Sequence, residues 1–123
     1  MMVVEDEGLI RDMLAQEFAD AGFEVFEAGS GDEAVALLSA GVVVGVVLTD
    51  VRMPGRLDGL GLVAWLRDNR PGLPIVVTSG YVTPAQVGAI NTAIAAVIGK
   101  PYAPADVVAL VAETLLGHPS IDS

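Results

Sequence analysis

The chain has 123 residues, 53% of them hydrophobic, a mean hydropathy of +0.61 and a net charge of −10. That is the length of one domain with ample material for a packed core, which excludes a second domain and a disordered chain. An isoelectric point near 4.1 leaves no basic patch to displace counterions from phosphates, which excludes direct binding to nucleic acid.

Apolar periodicity alternates short β-branched runs with amphipathic stretches, the pattern of an α/β fold. A first strand is expected over 2–5. A first helix follows, with Ile10, Met13, Leu14, Phe18 and Ala21 on one face and Gly22 placed to end it. The second strand is expected over 23–27. Ser30-Gly31-Asp32-Glu33 is a capping-box pattern that opens a second helix, which closes before Gly41 with Leu37 and Leu38 facing the sheet. The third strand, 44–49, contains Val46-Val47-Leu48 and reads as buried on both faces. A third helix starts near Asp58, a cap residue, uses Leu62, Val63 and Leu66, and stops before Pro71. The fourth strand is 73–79. Pro84 suits the first turn of a fourth helix, weakened by Gly88 and Thr92; the fifth strand is 94–98, and Pro104 suits the start of a fifth helix. Residues 1–117 form the domain, and 118–123 are expected to fray as a tail.

The two longest uncharged stretches, 34–49 and 71–99, do not read as membrane spans. The first falls short of the ~20 apolar residues a span needs, and the second carries Pro71, Pro74 and Pro84. Glu5, Asp6 and Glu7 interrupt any signal-peptide pattern, so a cytoplasmic location with no membrane partner is expected. The lack of cysteine excludes disulfides and thiolate metal sites.

Five βα units match a doubly wound parallel sheet of flavodoxin-like order 2-1-3-4-5, in which ligands bind beyond the carboxyl ends of the strands. At those ends stand Glu5-Asp6-Glu7, Asp50, Ser79 and Lys100, the chain's only lysine. Acids crowd residues 5–33, where Arg11 is the only base, and a divalent cation is a plausible guest on charge alone. Taken singly, most of these residues have plainer readings. Three acids suit the start of any helix, Ser79 before Gly80 suits a turn, and Lys100-Pro101 suits a loop. Trp65 reads as core or interface filling and His118 as solvated.

In order along the chain, "VVEDE", "VVLTDVRMPG", "DGLGL", "IVVTSGY" and "GKPY" resemble the successive signatures of response-regulator receiver domains, the CheY-like modules of two-component signalling. The resemblance implies that Asp50 is the phosphoacceptor, Glu5 and Asp6 the acidic pair, Ser79 the hydroxyl residue and Lys100 the switch lysine. It implies Mg²⁺, or Mn²⁺, held by Glu5, Asp6, Asp50 and the backbone carbonyl of Arg52, with a cis peptide at Pro101. Arg52 and Tyr81 fall where the family modulates phosphoryl lifetime. The physics agrees, because clustered carboxylates raise one another's pKa and an oxygen-seeking cation relieves that conflict.

The implied donor is phosphohistidine on a histidine kinase or histidine phosphotransfer protein. The resemblance also implies that the domain phosphorylates and dephosphorylates itself at Asp50 and is not an enzyme in the ordinary sense. With the chain ending at Ser123, output is expected through protein contact, with a homodimer through the fourth helix, fifth strand and fifth helix as one form of it. The alternatives are a receiver fragment of a larger regulator and an unphosphorylated pseudo-receiver binding module. A flavodoxin-like cofactor binder needs a phosphate loop where this chain has three acids, and a haloacid-dehalogenase-type phosphatase carries its nucleophile on strand one. Two departures stand out: Val97 replaces the family's strand-five aromatic, leaving Tyr81 and Tyr102 as substitutes, and "MPGRLDG" is one residue longer than the common pattern. "PIVVTSGY" without that aromatic resembles single-domain receivers that work with HWE-type histidine kinases.

Overall fold

Each strand sends alternate side chains to opposite faces, and here both faces are covered. Met2, Val4, Val47, Val51, Ile75 and Val77 enter one core, and Met1, Val3, Val46, Leu48 and Val76 enter the other. The computed structural model describes residues 1–51, 59–79 and 94–116. Its elements are β1 (Met2–Val4), α1 (Gly8–Asp20), β2 (Phe26–Ala28), α2 (Gly31–Ser39), β3 (Val47–Asp50), α3 (Gly59–Asn69), β4 (Ile75–Ser79), β5 (Ala96–Gly99) and α4 (Pro104–Leu116). The sheet is parallel with order β2-β1-β3-β4-β5, as expected. Helices α2 and α3 pack together over the first core, and α1 and α4 over the second. The helix expected at Pro84 lies outside the described residues, as do Asp58 and His118; α4 is the helix expected at Pro104.

Local chemistry accounts for the helix boundaries. Gly22 (φ 98°) follows α1 in a Schellman arrangement: Phe23 N–H donates to Phe18 O at 3.0 Å, and the two rings meet edge to face at 5.3 Å. Gly41 (φ 108°) ends α2 in the same way, with Val42 N–H on Leu37 O. At the start of α2, Ser30 Oγ accepts the Glu33 N–H at 3.0 Å, and the Glu33 carboxylate accepts the Gly29 N–H one residue before the N-cap, a variant of the expected capping box.

The expected strands shift where these motifs compete with them. Phe23 is held by the end of α1, so β2 begins at Phe26 rather than 23. Residues 44–46 precede β3, Val43 is 86% exposed, and the strand runs on to include Asp50. β5 is 96–99, against an expected 94–98. On α1 the buried stripe is Leu14 and Phe18 with Ile10 beside it, while Met13 and Ala21 are exposed. An i, i+4 row defines the buried face, and Met13 falls at its edge. Leu62, Val63 and Leu66 of α3 are fully buried, and half-buried Trp65 packs against the same core, as expected. No helix among the described residues is long and apolar enough to cross a membrane.

Candidate functional site

Register brings the acids together. Val4 pairs with Thr49 and Asp50 with Thr78, so Glu5, one residue beyond β1, arrives level with the end of β3. Glu5 is 2% exposed and Asp50 6% exposed, whereas Asp6 faces solvent. One carboxylate oxygen from each of Glu5, Asp6 and Asp50 lies within 4.8 Å of the others. From beyond β5, Lys100 Nζ donates to Asp50 Oδ2 at 2.6 Å and stands 3.9 Å from Glu5 Oε1. Glu5 Oε2 also accepts the Glu7 N–H at 3.2 Å.

The electrostatics follow from that geometry. Burial, the largest influence, pushes the Glu5 carboxyl up to about 7; Asp50 and Asp6 raise it further, against the Glu7 N–H and Lys100. Burial also opposes the charge on Lys100, but the hydrogen bond and charge of Asp50, with Glu5 behind them, hold its ammonium above the usual lysine range. Repulsion among carboxylates is thus present, but desolvation of Glu5 outweighs it. Three hard oxygen donors converging on one point, one of them reluctant to ionise without a cation, fit Mg²⁺ or Mn²⁺.

Of the residues singled out from the sequence, Glu5, Asp6, Asp50 and Lys100 meet in this cluster. Ser79 closes β4 in register with Gly99, and its side chain lies outside the described residues, as do Arg52 and Tyr81. The Lys100-Pro101 peptide is cis. Val97 packs into the core beneath α2 and α3, and Tyr102 into the one beneath α1 and α4.

Two residues that position the site were not singled out. Gly59 opens α3 with its N–H on Val51 O at 2.9 Å, and a Cβ there would stand 1.9 Å from the Asp50 carbonyl oxygen. Only glycine lets α3 back onto the strand that carries Asp50. A glycine immediately after an acid at the mouth of an apolar helix was the available signal. Arg11 Nη1 donates to Glu5 O at 2.9 Å while its Nε stands 3.5 Å from Glu27 Oε1, tying the end of β1 to β2. Its signal was being the only base among the early acids.

This geometry agrees with the comparisons to known proteins. The family model described as the response regulator receiver domain matches residues 1–112. The chain belongs to the response regulator receiver domain family. It is 36% identical over 104 residues to the C4-dicarboxylate transport transcriptional regulatory protein DctD of Rhizobium meliloti (strain 1021), covering 84% of this chain and 22% of DctD. The receiver domain of NtrX from Brucella abortus superposes with a TM-score of 0.81 at 36% identity, over 94% of this chain and 96% of that one. A receiver protein from Sinorhizobium medicae WSM419 gives 0.84 at 28% identity, over 95% and 94%. The receiver thus spans less than a quarter of the length of DctD.

Proposed function

We propose that this receiver accepts a phosphoryl group on Asp50 from phosphohistidine and passes the signal on by protein contact. The observation that carries this reading is the 2.6 Å bond from Lys100 Nζ to Asp50 Oδ2, beside Glu5 and Asp6. An Asp50 oxygen attacks phosphorus in line; the O–P bond forms as the P–N bond to imidazole breaks, and the imidazole leaves with the electron pair and takes up a proton. Glu5, Asp6 and Asp50 would hold the divalent cation, with the Arg52 carbonyl contributing by family resemblance. When bound, that cation neutralises the carboxylates and the charge developing on the phosphoryl oxygens. Lys100 holds Asp50 Oδ2 by a hydrogen bond before transfer and follows the negative charge onto the phosphoryl oxygens afterwards. The domain thereby promotes its own phosphorylation without turning over a separate substrate.

Intact-mass measurement after incubation with acetyl phosphate or phosphoramidate and Mg²⁺ tests the reading. One phosphoryl adduct is expected on the native chain and none on Asp50→Asn; a folded native chain that stays unmodified overturns it. Lys100→Ala should keep some phosphorylation and weaken the conformational response seen in NMR shifts. A histidine kinase or histidine phosphotransfer protein would supply the phosphohistidine, and light scattering with and without a phosphoryl mimic tests a homodimer.

A second reading concerns context. Because the match covers only 22% of DctD, the same domain fits the receiver part of a larger regulator, with output supplied by another segment.

A further inference from the structure

After delivering Lys100 to the site, the chain passes through Pro101 to Tyr102 before α4 opens at Pro104. The Tyr102 ring packs against the core that α1 and α4 share. Its hydroxyl is buried and makes no hydrogen bond, the one buried side-chain nitrogen or oxygen among the described residues in that position. A buried phenol without a partner loses its water and gains nothing in return. It also stands within electrostatic reach of the site: burial raises its pKa most, while Lys100, Glu5, Asp50 and Glu7 all act on it. Val97, by contrast, packs toward α2 and α3 and has no polar end with which to make or break a hydrogen bond.

We propose that Tyr102 is the positioning residue through which occupation of Asp50 is read, its unpaired hydroxyl gaining a hydrogen bond in the phosphorylated site and its ring carrying the change to the face of α1 and α4. This rests on Asp50 being the phosphoacceptor. Two complementary deficits support it. Tyr102 offers a buried donor with no acceptor, and a phosphoryl group brings three strong acceptor oxygens. The arriving group esterifies one Asp50 carboxylate oxygen and sets its own oxygens beside Lys100 Nζ, which now holds Asp50 Oδ2, so the lysine two residues away gains a competing partner. Space for the ring to respond exists: a cleft of about 390 Å³ is lined by Ile10, Met13, Lys100, Pro101 and Tyr102. The route differs from one through strand five, since it ends on the opposite face of the sheet from the core that holds Val97.

The test compares native protein with Tyr102→Phe, which deletes only the hydroxyl, each with Mg²⁺ and with and without beryllofluoride as phosphoryl mimic. In the native protein, loading should shift NMR signals of Ile10, Met13, Val107 and Val111. In Tyr102→Phe the acetyl phosphate adduct on Asp50 should still form by mass, signals at Val4 and Thr49 beside the acceptor should still move, and the α1 and α4 shifts should fall at least about twofold. The unloaded Phe variant should also melt about 3–6 °C higher, having shed an unpaired buried hydroxyl. Native-sized shifts on α1 and α4 in the Phe variant, with the adduct present, overturn this proposal alone. A native chain that forms no adduct overturns it together with the reading of Asp50 on which it rests.

Discussion

The chain turns from strand to helix at the same edge of the sheet after β1 and after β2, and it uses its acids differently at the two turns. Before α2, Ser30 Oγ accepts the Glu33 N–H and the Glu33 carboxylate accepts the Gly29 N–H at 2.5 Å, with Asp32 beside it in the first turn. Every acid there supports the helix dipole or a free N–H. Before α1, the N-cap Glu7 makes no side-chain cap, the first turn carries no acid, and the Glu5 carboxylate turns inward to 2% exposure. Local helix stabilisation is forgone where a carboxylate is buried beside Asp50. Residues that break a local rule are the ones to suspect of function, and here that rule picks out the turn that carries Glu5.

That contrast holds only while Asp50 is rigidly seated, which Gly59 tests most severely. Gly59→Ala should cost about 3 kcal/mol or more, because the new methyl meets backbone on the acceptor strand rather than a side chain that can rotate away. Urea denaturation checks this, and a loss below about 1 kcal/mol would show that α3 can retreat from β3. The next effect is smaller and depends on pH. With its folded pKa at about 7 against 4.5 unfolded, Glu5 binds its proton more tightly in the native state. Metal-free stability should therefore be fully held below about pH 4.5, fall by roughly 2–3 kcal/mol as pH rises toward 7, and level off above. Glu5→Gln should flatten that fall in urea melts at pH 5 and pH 8. The same variant should lose about tenfold or more in Mg²⁺ affinity by calorimetry. A variant that is less stable at pH 8 and binds Mg²⁺ as before would mean that the inward turn of Glu5 serves packing instead.

How much of this the sequence disclosed follows from range of interaction. The capping box at Ser30, the glycine stops at Gly22 and Gly41 and the buried faces of β3 and α3 are decided within a few residues, and they were legible. The start of the third strand, expected at 44, misled because β-branched Val44 and Val46 around Gly45 look like a strand, while pairing with β1 and β4 sets in only at Val47. At the site, the residue types at strand ends were legible, but which acid would be buried was not. Glu5, Asp6 and Glu7 are equivalent as text; register with β3 and the reach of Lys100 single out Glu5. Gly59 and Arg11 act through backbone atoms of Asp50 and Glu5, so their sequence signals, a glycine after an acid and a lone early base, mark the residues without specifying the contacts.

Arg11 joins the two turns and allows the finest test of their difference. Its guanidinium bonds the Glu5 carbonyl on one side, and on the other it faces Glu27 and lies 3.3 Å from where a Gly29 Cβ would stand. Ser30→Ala, a change at the turn concerned with stability alone, should cost about 1 kcal/mol and leave Mg²⁺ affinity untouched. Glu27→Gln, removing one side of a 3.5 Å pair whose members are 26% and 42% exposed, should cost no more than about 0.5 kcal/mol. Arg11→Gln should cost about 1 kcal/mol, comparable with the loss of the cap, yet it alone of the three should weaken Mg²⁺ binding, because only it releases the backbone that aims Glu5. Calorimetric titration of the three variants decides the matter. If Ser30→Ala weakens Mg²⁺ binding as much as Arg11→Gln does, the turns are coupled through helix packing rather than through the arginine, and the division of labour between them is lost.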